Sequence, residues 1–353
     1  MESPGFDTLI IGQGLAGTAL AWHLMQAGER VCVVDDGHRT ASSVVAAGLL
    51  NPLAGLRFNR RPDTTDCLDA ADRWYAALAG QFGRDFHHPM PMLRLFRSEE
   101  QRRFHARRRR DPASRALLDE ALPPEHLPEP IAAPFGAFVQ HRTGYVDLPG
   151  LLEALRAWLD GQGALAGLAV DPSAIRPTDD RVEVAGLSAS RLVFCEGARM
   201  ADNPWFCRLP LRPEKGEILD LEAGDWRPRH IINGAYWVVP QADGRLRLGA
   251  THQHRQIDRT ATTAGRDELL AAWGALRPKA APVTVRRHQA GVRPGTADRQ
   301  PLIGRHPAQP RLWVFNGFGA RGALAIPWYA QRLAEHLRHG RELPADADIR
   351  RLA

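Results

Sequence analysis

The chain has 353 residues, of which 44% are hydrophobic and 24% are charged. This composition is ordinary for a soluble globular protein that can bury two hydrophobic cores. The 46 basic and 40 acidic residues give a formal net charge of +6, which is too mild for this length to indicate nucleic-acid binding by itself.

Local patterns also argue against a metal or redox protein and against a membrane-spanning protein. Cys32, Cys67, Cys195 and Cys207 are too scattered for a metal site or a redox pair, so we expect no bound metal and a reducing, cytoplasmic location. Residues 8–28 carry no Asp, Glu, Lys or Arg, but two early glycines and a short helical part argue against a bilayer span, which needs roughly 20 helical residues. We also expect no signal peptide.

The N-terminal segment predicts a strand at residues 8–11, a glycine turn, a helix at 18–27 and a second strand at 30–34. The turn, Gly12-Gln13-Gly14-Leu15-Ala16-Gly17, has the spacing G-x-G-x-x-G. Gly12 permits the tight turn, Gly14 lets a pyrophosphate approach the backbone, and Gly17 allows helix and strand to pack closely. Asp35, after the second strand, would accept from ribose hydroxyls. The pattern predicts dinucleotide binding without separating FAD from NAD.

The next two segments each allow two interpretations. Residues 42–52 are small and almost uncharged, which suits the close approach of a cofactor and equally suits a buried loop. Residues 102–110 are rich in arginine, and a capping box at Ser98-Glu99-Glu100-Gln101 precedes them. Arginines in the last turns complement the helix dipole, which favours a solvated surface helix over a phosphate-binding one.

The rest of the chain predicts alternating helices and short strands, and then a mostly antiparallel sheet with a hairpin turn at residues 241–244. We expect helices at 66–79, 148–159 and 267–276, and strands at 165–170, 182–184, 191–194, 217–221, 235–239 and 246–250. Asp147 is the expected N-cap of the second helix. The fold class is therefore α/β, with a nucleotide domain interrupted by a second domain.

Six blocks of sequence occur in the order and spacing of the D-amino-acid-oxidase superfamily. They are Gly12-x-Gly14-x-x-Gly17, Ala46-Ala47-Gly48, Gly144-Tyr145-Val146, Arg212-Pro213-x-x-Gly216, Gly249-Ala250-Thr251 and Gly291-Val292-Arg293-Pro294-Gly295-Thr296. The last block, which runs on to Pro307, most resembles glycine oxidase. The resemblance implies noncovalent FAD in a Rossmann-like domain (residues 1–57, 142–205 and 291–353) and an α+β substrate domain (58–141 and 206–290) whose sheet covers the flavin.

The resemblance also implies oxidation of a small amine or amino acid by hydride transfer to flavin N5, followed by imine hydrolysis, with O2 or another electron acceptor. Arg293 matches the arginine that binds the substrate carboxylate, which suits a guanidinium, although a structural ion pair is the alternative. Residues 317–322 resemble the loop that offers backbone N–H groups to the flavin. A homo-oligomer of this chain is also possible.

Three positions depart from glycine oxidase. Trp237 replaces a tyrosine, His252 replaces a methionine, and Ala320 replaces an arginine that reappears as Arg321. We therefore expect Arg293, Trp237, His252 and Arg321 to be the catalytic residues, with His252 acting as a base, a substrate contact, a redox-tuning group or a purely structural residue. The residues expected to bind FAD are Gly12, Gly14, Leu15, Ala16, Gly17, Asp35, Asp36, Ser43, Ala46, Ala47, Gly48, Leu49, Val170, Glu196, Gly197, Gly317, Gly319, Ala320, Arg321 and Gly322.

Two alternatives remain. Ala320-Arg321-Gly322 and residues 46–52 also resemble the FAD domain of the bifunctional tRNA wobble-uridine modification enzyme, which removes a carboxymethyl group from an amine. In that case residues 102–110 would contact tRNA, with strongly salt-dependent affinity. The other alternative is a flavin-binding protein without turnover, although the presence of Arg293 speaks against it.

Overall fold

The computed structural model describes residues 5–38 and 41–352. The α-helices in these ranges are α1 Leu15–Gln26, α2 Thr64–Phe82, α3 Glu99–Arg108, α4 Pro112–Arg115, α5 Leu148–Gly161, α6 Thr263–Leu276 and α7 Gly322–His339. The strands are β1 Phe6–Ile11, β2 Val31–Val34, β3 Leu49–Leu50, β4 Leu53–Ala54, β5 Asn59–Arg60, β6 His87–Pro89, β7 Met92–Leu95, β8 Leu118–Leu122, β9 Ala137–Gln140, β10 Gly144–Val146, β11 Leu165–Ala166, β12 Arg176–Pro177, β13 Val182–Val184, β14 Leu187–Phe194, β15 Leu211–Glu222, β16 Ile231–Asn233, β17 Trp237–Pro240, β18 Leu246–Gly249, β19 Thr284–Thr296, β20 Leu302–Arg305 and β21 Leu312–Asn316.

The first sheet has a parallel centre. Its order is β11-β2-β1-β14-β13-β12, with β21 parallel to β14 and β20 antiparallel to β21. Strand β1 is buried on both faces, because Ile10 packs into one hydrophobic cluster with α1 and α7 while Leu9 and Ile11 pack into another. Continuous apolar strands of this kind are typical of a parallel sheet covered on both sides.

Helix α1 follows β1 through the glycine turn and begins at Leu15, three residues before the predicted start at 18. A Cβ added to Gly17 would lie 1.9 Å from the carbonyl oxygen of Gly12, so the first helical turn rests directly on the end of the strand. The glycine turn therefore feeds into the helix without an intervening loop. The helix ends at Gln26, and Gly28 has a φ of +87°.

The second sheet has the order β19-β15-β18-β17-β16-β7-β9-β8. All its pairs are antiparallel except β16 with β7, so both eight-stranded sheets of this mixed α/β fold contain parallel and antiparallel pairs. Two small antiparallel sheets, β3-β10-β6 and β4-β5, complete the described part of the chain. One face of the sheet packs on α6 through Leu219, Leu221, Leu269 and Trp273. Because side chains alternate along a strand, Glu214, Gly216 and Ile218 of β15 share the opposite face.

Most predicted elements are present, with shifted ends. Helices α2, α5 and α6 are longer than predicted, and Asp147 caps α5 by accepting a hydrogen bond from the N–H of Gly150. The strand predicted at 165–170 is wrong beyond Ala166, because only Leu165 and Ala166 pair with β2. In the described part of the chain, no helix is both long and apolar enough to cross a bilayer.

Helix α3 carries the arginine-rich run. The predicted capping box is formed in part. Ser98 Oγ accepts from Gln101 N at 3.4 Å, as in a capping box, but Gln101 Oε1 accepts at 2.8 Å from the N–H of Arg97, the residue before the cap. Several of the arginines are occupied within the chain: Arg109 pairs with Glu120, and Arg108 Nε donates to the carbonyl of Arg57 at 3.0 Å. These contacts favour the surface-helix interpretation over a free phosphate-binding face.

Candidate active site

A cavity of about 390 Å³ lies between the first sheet and the second. The carboxyl ends of the parallel strands β1, β2, β14 and β21 reach it through Ile11, Val34, Cys195 and Asn316. Ligands of open α/β sheets bind at this edge, and the volume is in the range of small-molecule sites. The opposite wall is the face of the second sheet that carries Gly216 and Ile218.

Helices α1 and α7 begin at the cavity, and neither N-cap residue caps its helix with a side chain. In α1, Ser43 Oγ accepts from the N–H of Leu15 at 3.3 Å. Helix α1 starts at Leu15 after Gly14, and α7 starts at Gly322 after Arg321, with no acidic residue in the first turn of either helix. Leu15, Ala16, Gly322 and Ala323 line the cavity. Free N–H groups and the positive end of the helix dipole attract anions, so the two helix starts suit a pyrophosphate and an electron-rich ring.

The predicted site residues lie on the cavity wall, except for two glycines. Gly17 packs α1 on β1, and Gly317 forms a turn with a φ of +83° in which a Cβ would meet Thr296 Cγ2 at 2.9 Å. The residues that line the cavity are Gly12, Gly14, Leu15, Ala16, Asp35, Asp36, Ser43, Ala46, Ala47, Gly48, Leu49, Val170, Glu196, Gly197, Trp237, His252, Arg293, Gly319, Ala320, Arg321 and Gly322.

Asp35 is the most heavily bonded acid at the β2 end. Its carboxylate accepts from the backbone N–H groups of Gln13 at 2.9 Å and of Gly37 and His38 at 2.8 Å, and from Arg156 Nη1 at 3.0 Å. Burial raises the pKa of Asp35, but the hydrogen bonds from these backbone groups outweigh it, and the pKa lies below its ordinary value.

Asp36 is the less committed of the two acids. Its ion pair with Arg199 is 3.5 Å long, and it lines the same end of the cavity. The hydrogen bonds that Asp35 accepts within the turn already use most of its lone pairs. We therefore propose Asp36 as the better acceptor for ribose hydroxyls, in place of Asp35, to which the sequence assigned that role.

Arg293 lies on the wall formed by the second sheet. Its register partner across the β15–β19 pair is Glu214, and Arg293 Nη1 is 2.9 Å from Glu214 Oε2. The guanidinium lies over Gly216, where an added Cβ would be 2.2 Å from Nη2. Only a glycine at position 216 leaves room for the arginine in this orientation. The hydrogen bonds that Arg293 makes within residues 5–38 and 41–352 both use Nη1.

Trp237, like Arg293, lies over a glycine of the neighbouring strand. It is the register partner of Gly249 across the β17–β18 pair, and a Cβ at position 249 would lie 2.7 Å from Trp237 Cζ2. The indole therefore lies flat over the neighbouring strand and forms an aromatic wall of the cavity.

His252 is 61% exposed and lines the cavity, and its Nδ1 lies 2.8 Å from Glu214 Oε1. The sequence left its role open, and the structure places it in a cluster with the residues around Arg293. Glu214, which joins the cluster, was missed, because the sequence alone does not give the register of two strands so far apart in the chain. Asn233, on the same wall, also carried no local signal.

Arg321, which also lines the cavity, carries unsatisfied donors. Its Nη2 is 3.9 Å from Asp63 Oδ1, and neither Nε nor Nη2 has a hydrogen-bond partner in the part of the chain that the structure describes. Burial and the nearby charge of Arg61 lower the pKa of Arg321, yet a guanidinium stays charged at neutral pH. Buried donors of this kind usually have an acceptor, so a ligand group is expected there.

These features fit FAD. The α1 start suits its pyrophosphate, and the α7 start and the free donors of Arg321 suit the electron-rich pyrimidine edge of its ring. Small residues that permit close approach also line the cavity, among them Ala46 and Ala47.

Comparison with known proteins agrees with this fit. The model of the family described as FAD dependent oxidoreductase matches residues 7–336. The glycine oxidase of Pseudomonas aeruginosa is 27% identical over 351 residues, which cover 95% of this chain and 95% of that one. The tRNA 5-methylaminomethyl-2-thiouridine biosynthesis bifunctional protein MnmC of Marinobacter nauticus is 25% identical over 365 residues, which cover 93% of this chain and 55% of that protein.

Among solved structures, glycine oxidase from Geobacillus kaustophilus has the same fold, with a TM-score of 0.83 at 22% identity over 98% of this chain and 97% of that one. The family match runs over nearly the whole chain, and the cavity has the groups that the cofactor needs. The chain therefore belongs to the family of FAD-dependent oxidoreductases, and FAD is its cofactor.

Proposed function

We propose that this enzyme oxidises a small amine or amino acid of the glycine type, including N-substituted glycines, and binds the substrate carboxylate on Arg293. The observation that carries the proposal is the placement of Arg293 on the cavity wall, with Nη1 held and with no hydrogen bond from its other nitrogens to residues 5–38 or 41–352. A guanidinium offers parallel N–H groups that match a carboxylate. The glycine oxidases named above support the same substrate class.

In this mechanism, bound FAD supplies the acceptor for the hydride that leaves the substrate carbon. Arg293 fixes the carboxylate and thereby the adjacent C–H bond, and Trp237 closes the wall beside it. Gly216 leaves room for the guanidinium of Arg293, and it lines the cavity together with its register partner Gly291. Orientation by these groups is the protein's contribution to the reaction.

Proton transfer needs no dedicated triad in this proposal. The acids on the cavity wall, Asp35, Asp36 and Glu196, follow strands β2 and β14 at the nucleotide end of the site. The amine enters in its neutral form, and the imine product leaves and is hydrolysed by water to an oxo acid and an amine or ammonia. O2 or another acceptor takes the electrons afterwards.

We also propose the domain division expected from sequence, with residues 1–57, 142–205 and 291–353 around the cofactor and residues 58–141 and 206–290 around the substrate. The first sheet falls mainly in the former segments and the second sheet mainly in the latter, which supports the division. A cytoplasmic location and self-association remain expectations of the sequence.

The first experiment is an absorption spectrum of the purified protein, followed by anaerobic titration with glycine, sarcosine, D-alanine and proline. The expected result is a flavin spectrum that bleaches with one of these amines, which would also name a substrate. A flavin that stays oxidised with all of them would contradict the small-substrate proposal and favour a larger N-substituted glycine, such as the modified tRNA acted on by a protein like the Marinobacter nauticus relative. Titration with tRNA at physiological salt would then separate that alternative from a flavoprotein without turnover.

The close contact between Trp237 and Gly249 gives a separate prediction. Gly249→Ala places a methyl group within 2.8 Å of two ring carbons of Trp237, so the indole must move into the cavity. We expect the KM of the substrate found above to rise about tenfold while FAD stays bound, because the displaced ring occupies space beside the substrate; a tenfold change corresponds to about 1.4 kcal/mol of binding free energy. Gly80→Ala is the matched control, because a Cβ there meets nothing within 4 Å. An unchanged KM for Gly249→Ala would show that the tryptophan does not border the substrate.

A further inference from the structure

Glu214 is the acid closest to the proposed substrate clamp, and it does not itself line the cavity. It lies opposite Arg293 in register, so both side chains project from the same face of the second sheet. Glu214 Oε2 accepts from Arg293 Nη1 at 2.9 Å, and both side chains are mostly buried. The contact is a cross-strand ion pair at the edge of the active site.

The second oxygen of Glu214 is occupied as well. Oε1 lies 2.8 Å from His252 Nδ1 and 3.3 Å from His254 Nε2. Burial raises the pKa of Glu214, but the hydrogen bond from His252 and the charge of Arg293 outweigh it and lower the pKa to about 2. The carboxylate is therefore ionised throughout the neutral pH range. It is also fixed from both sides, so it can hold the arginine in one place.

The guanidinium has little freedom between its neighbours. Gly216 lies beneath Nη2, Glu214 holds Nη1, and the carbonyl oxygen of Thr251 is 3.5 Å from Nη1. A long arginine side chain loses considerable rotamer entropy when it binds a ligand from a free state. Pre-orientation by Glu214 removes that cost from the binding step. The negative charge of Glu214 also offsets the charge that Arg293 presents to a carboxylate.

We propose that Glu214 is a positioning residue that orients Arg293 for the substrate carboxylate and sets how strongly the site attracts anions. The proposal rests on the proposed function, in which Arg293 is the carboxylate clamp. It predicts that the two effects of Glu214 can be separated. Removing the side chain loosens the arginine, whereas replacing it with glutamine keeps an acceptor for Nη1 and removes only the negative charge.

The test uses the FAD-loaded enzyme and N-acetylglycine, a carboxylate that cannot be oxidised as an amine, with its Kd read from the change in flavin absorption. We expect Glu214→Ala to raise this Kd about tenfold and Glu214→Gln to leave it within about threefold of the original or to lower it, because a retained hydrogen bond keeps the orientation. The KM for the amine substrate should follow the Kd, while kcat changes less for Glu214→Gln than for Glu214→Ala. Glu222→Gln is the matched control, since Glu222 forms a similar pair with Arg286 on the same two strands and is far more exposed.

A double-mutant cycle decides whether Glu214 acts through Arg293. In an Arg293→Ala background, Glu214→Ala should change the Kd by less than about twofold, because the group that it positions is gone. An equal loss in both backgrounds would overturn the positioning role. So would a Kd that Arg293→Ala raises and Glu214→Ala leaves unchanged. If Arg293→Ala itself leaves the Kd unchanged, the clamp of the proposed function is wrong, and the role of Glu214 falls with it.

Discussion

Replacing Arg293 with alanine is expected to lower kcat/KM for a carboxylate-bearing amine by about 100-fold, since two charge-assisted hydrogen bonds are worth roughly 3 kcal/mol or more. The effect should fall mainly on KM and on the Kd of carboxylate ligands. Arg293→Lys should recover only part of the loss, because an ammonium keeps the charge and cannot bind a carboxylate through two parallel N–H groups. Steady-state kinetics with the substrate found by anaerobic titration gives the measurement.

The control for this prediction lies on the same strand. Arg286 is on β19, is 55% exposed and pairs with Glu222, so Arg286→Ala removes a cross-strand ion pair without touching the cavity. Its kcat/KM should match the unmodified enzyme, and both variants should keep their flavin. Equal losses for the two variants would mean that sheet stability and not substrate binding explains the effect of Arg293.

The second large effect is expected at Gly17. A methyl group at this position would lie 1.9 Å from the carbonyl oxygen of Gly12. This oxygen belongs to the backbone, so it cannot rotate away as a flexible side chain can. We expect Gly17→Ala to push α1 off β1, to lower the free energy of unfolding by about 3 kcal/mol and to release FAD, since overpacking costs of this order arise where nothing can yield. Thermal unfolding and flavin fluorescence of the purified variant measure the two consequences.

Gly274→Ala in α6 is the comparison for Gly17→Ala. A Cβ at position 274 meets nothing within 4 Å, and alanine is favoured over glycine in a helix by roughly 0.5–1 kcal/mol, so this variant should be at least as stable as the original protein. A Gly17→Ala variant that keeps both its stability and its FAD would contradict the close packing of the first helical turn on the strand.

The sequence located cavity residues where they belong to one local motif. The glycine turn before α1 and residues 319–322 before α7 are runs of adjacent residues whose conformations depend on glycine and on the helix that follows. Arg293 sits in a distinctive block, and it lies on the cavity wall as predicted, while its role stays a prediction. The structure brings these separate segments to one cavity, at the carboxyl ends of β1, β2, β14 and β21.

The sequence was insufficient where contacts depend on strand register or on a change of direction. Glu214 faces Arg293 only because β15 and β19 pair in that register, and no local motif around either residue indicates this pairing. The apolar run at 165–170 reads as one strand, yet the chain leaves the sheet after Ala166, and Leu168, Ala169 and Val170 turn to line the cavity. Apolar residues suit a cofactor wall as well as a strand, so periodicity does not distinguish the two.

The order of strands in the first sheet has a consequence for how the protein is made. Strand β1 pairs with β14, which begins at Leu187, and β14 in turn pairs with β21, which begins at Leu312. A growing chain on the ribosome therefore carries β1 with one open edge until more than half of the protein has been synthesised. The start of α7, which lines the cavity, is made later still. FAD therefore has no complete site until synthesis is almost finished, and the open edge of β1 is exposed to wrong pairing before β14 is made.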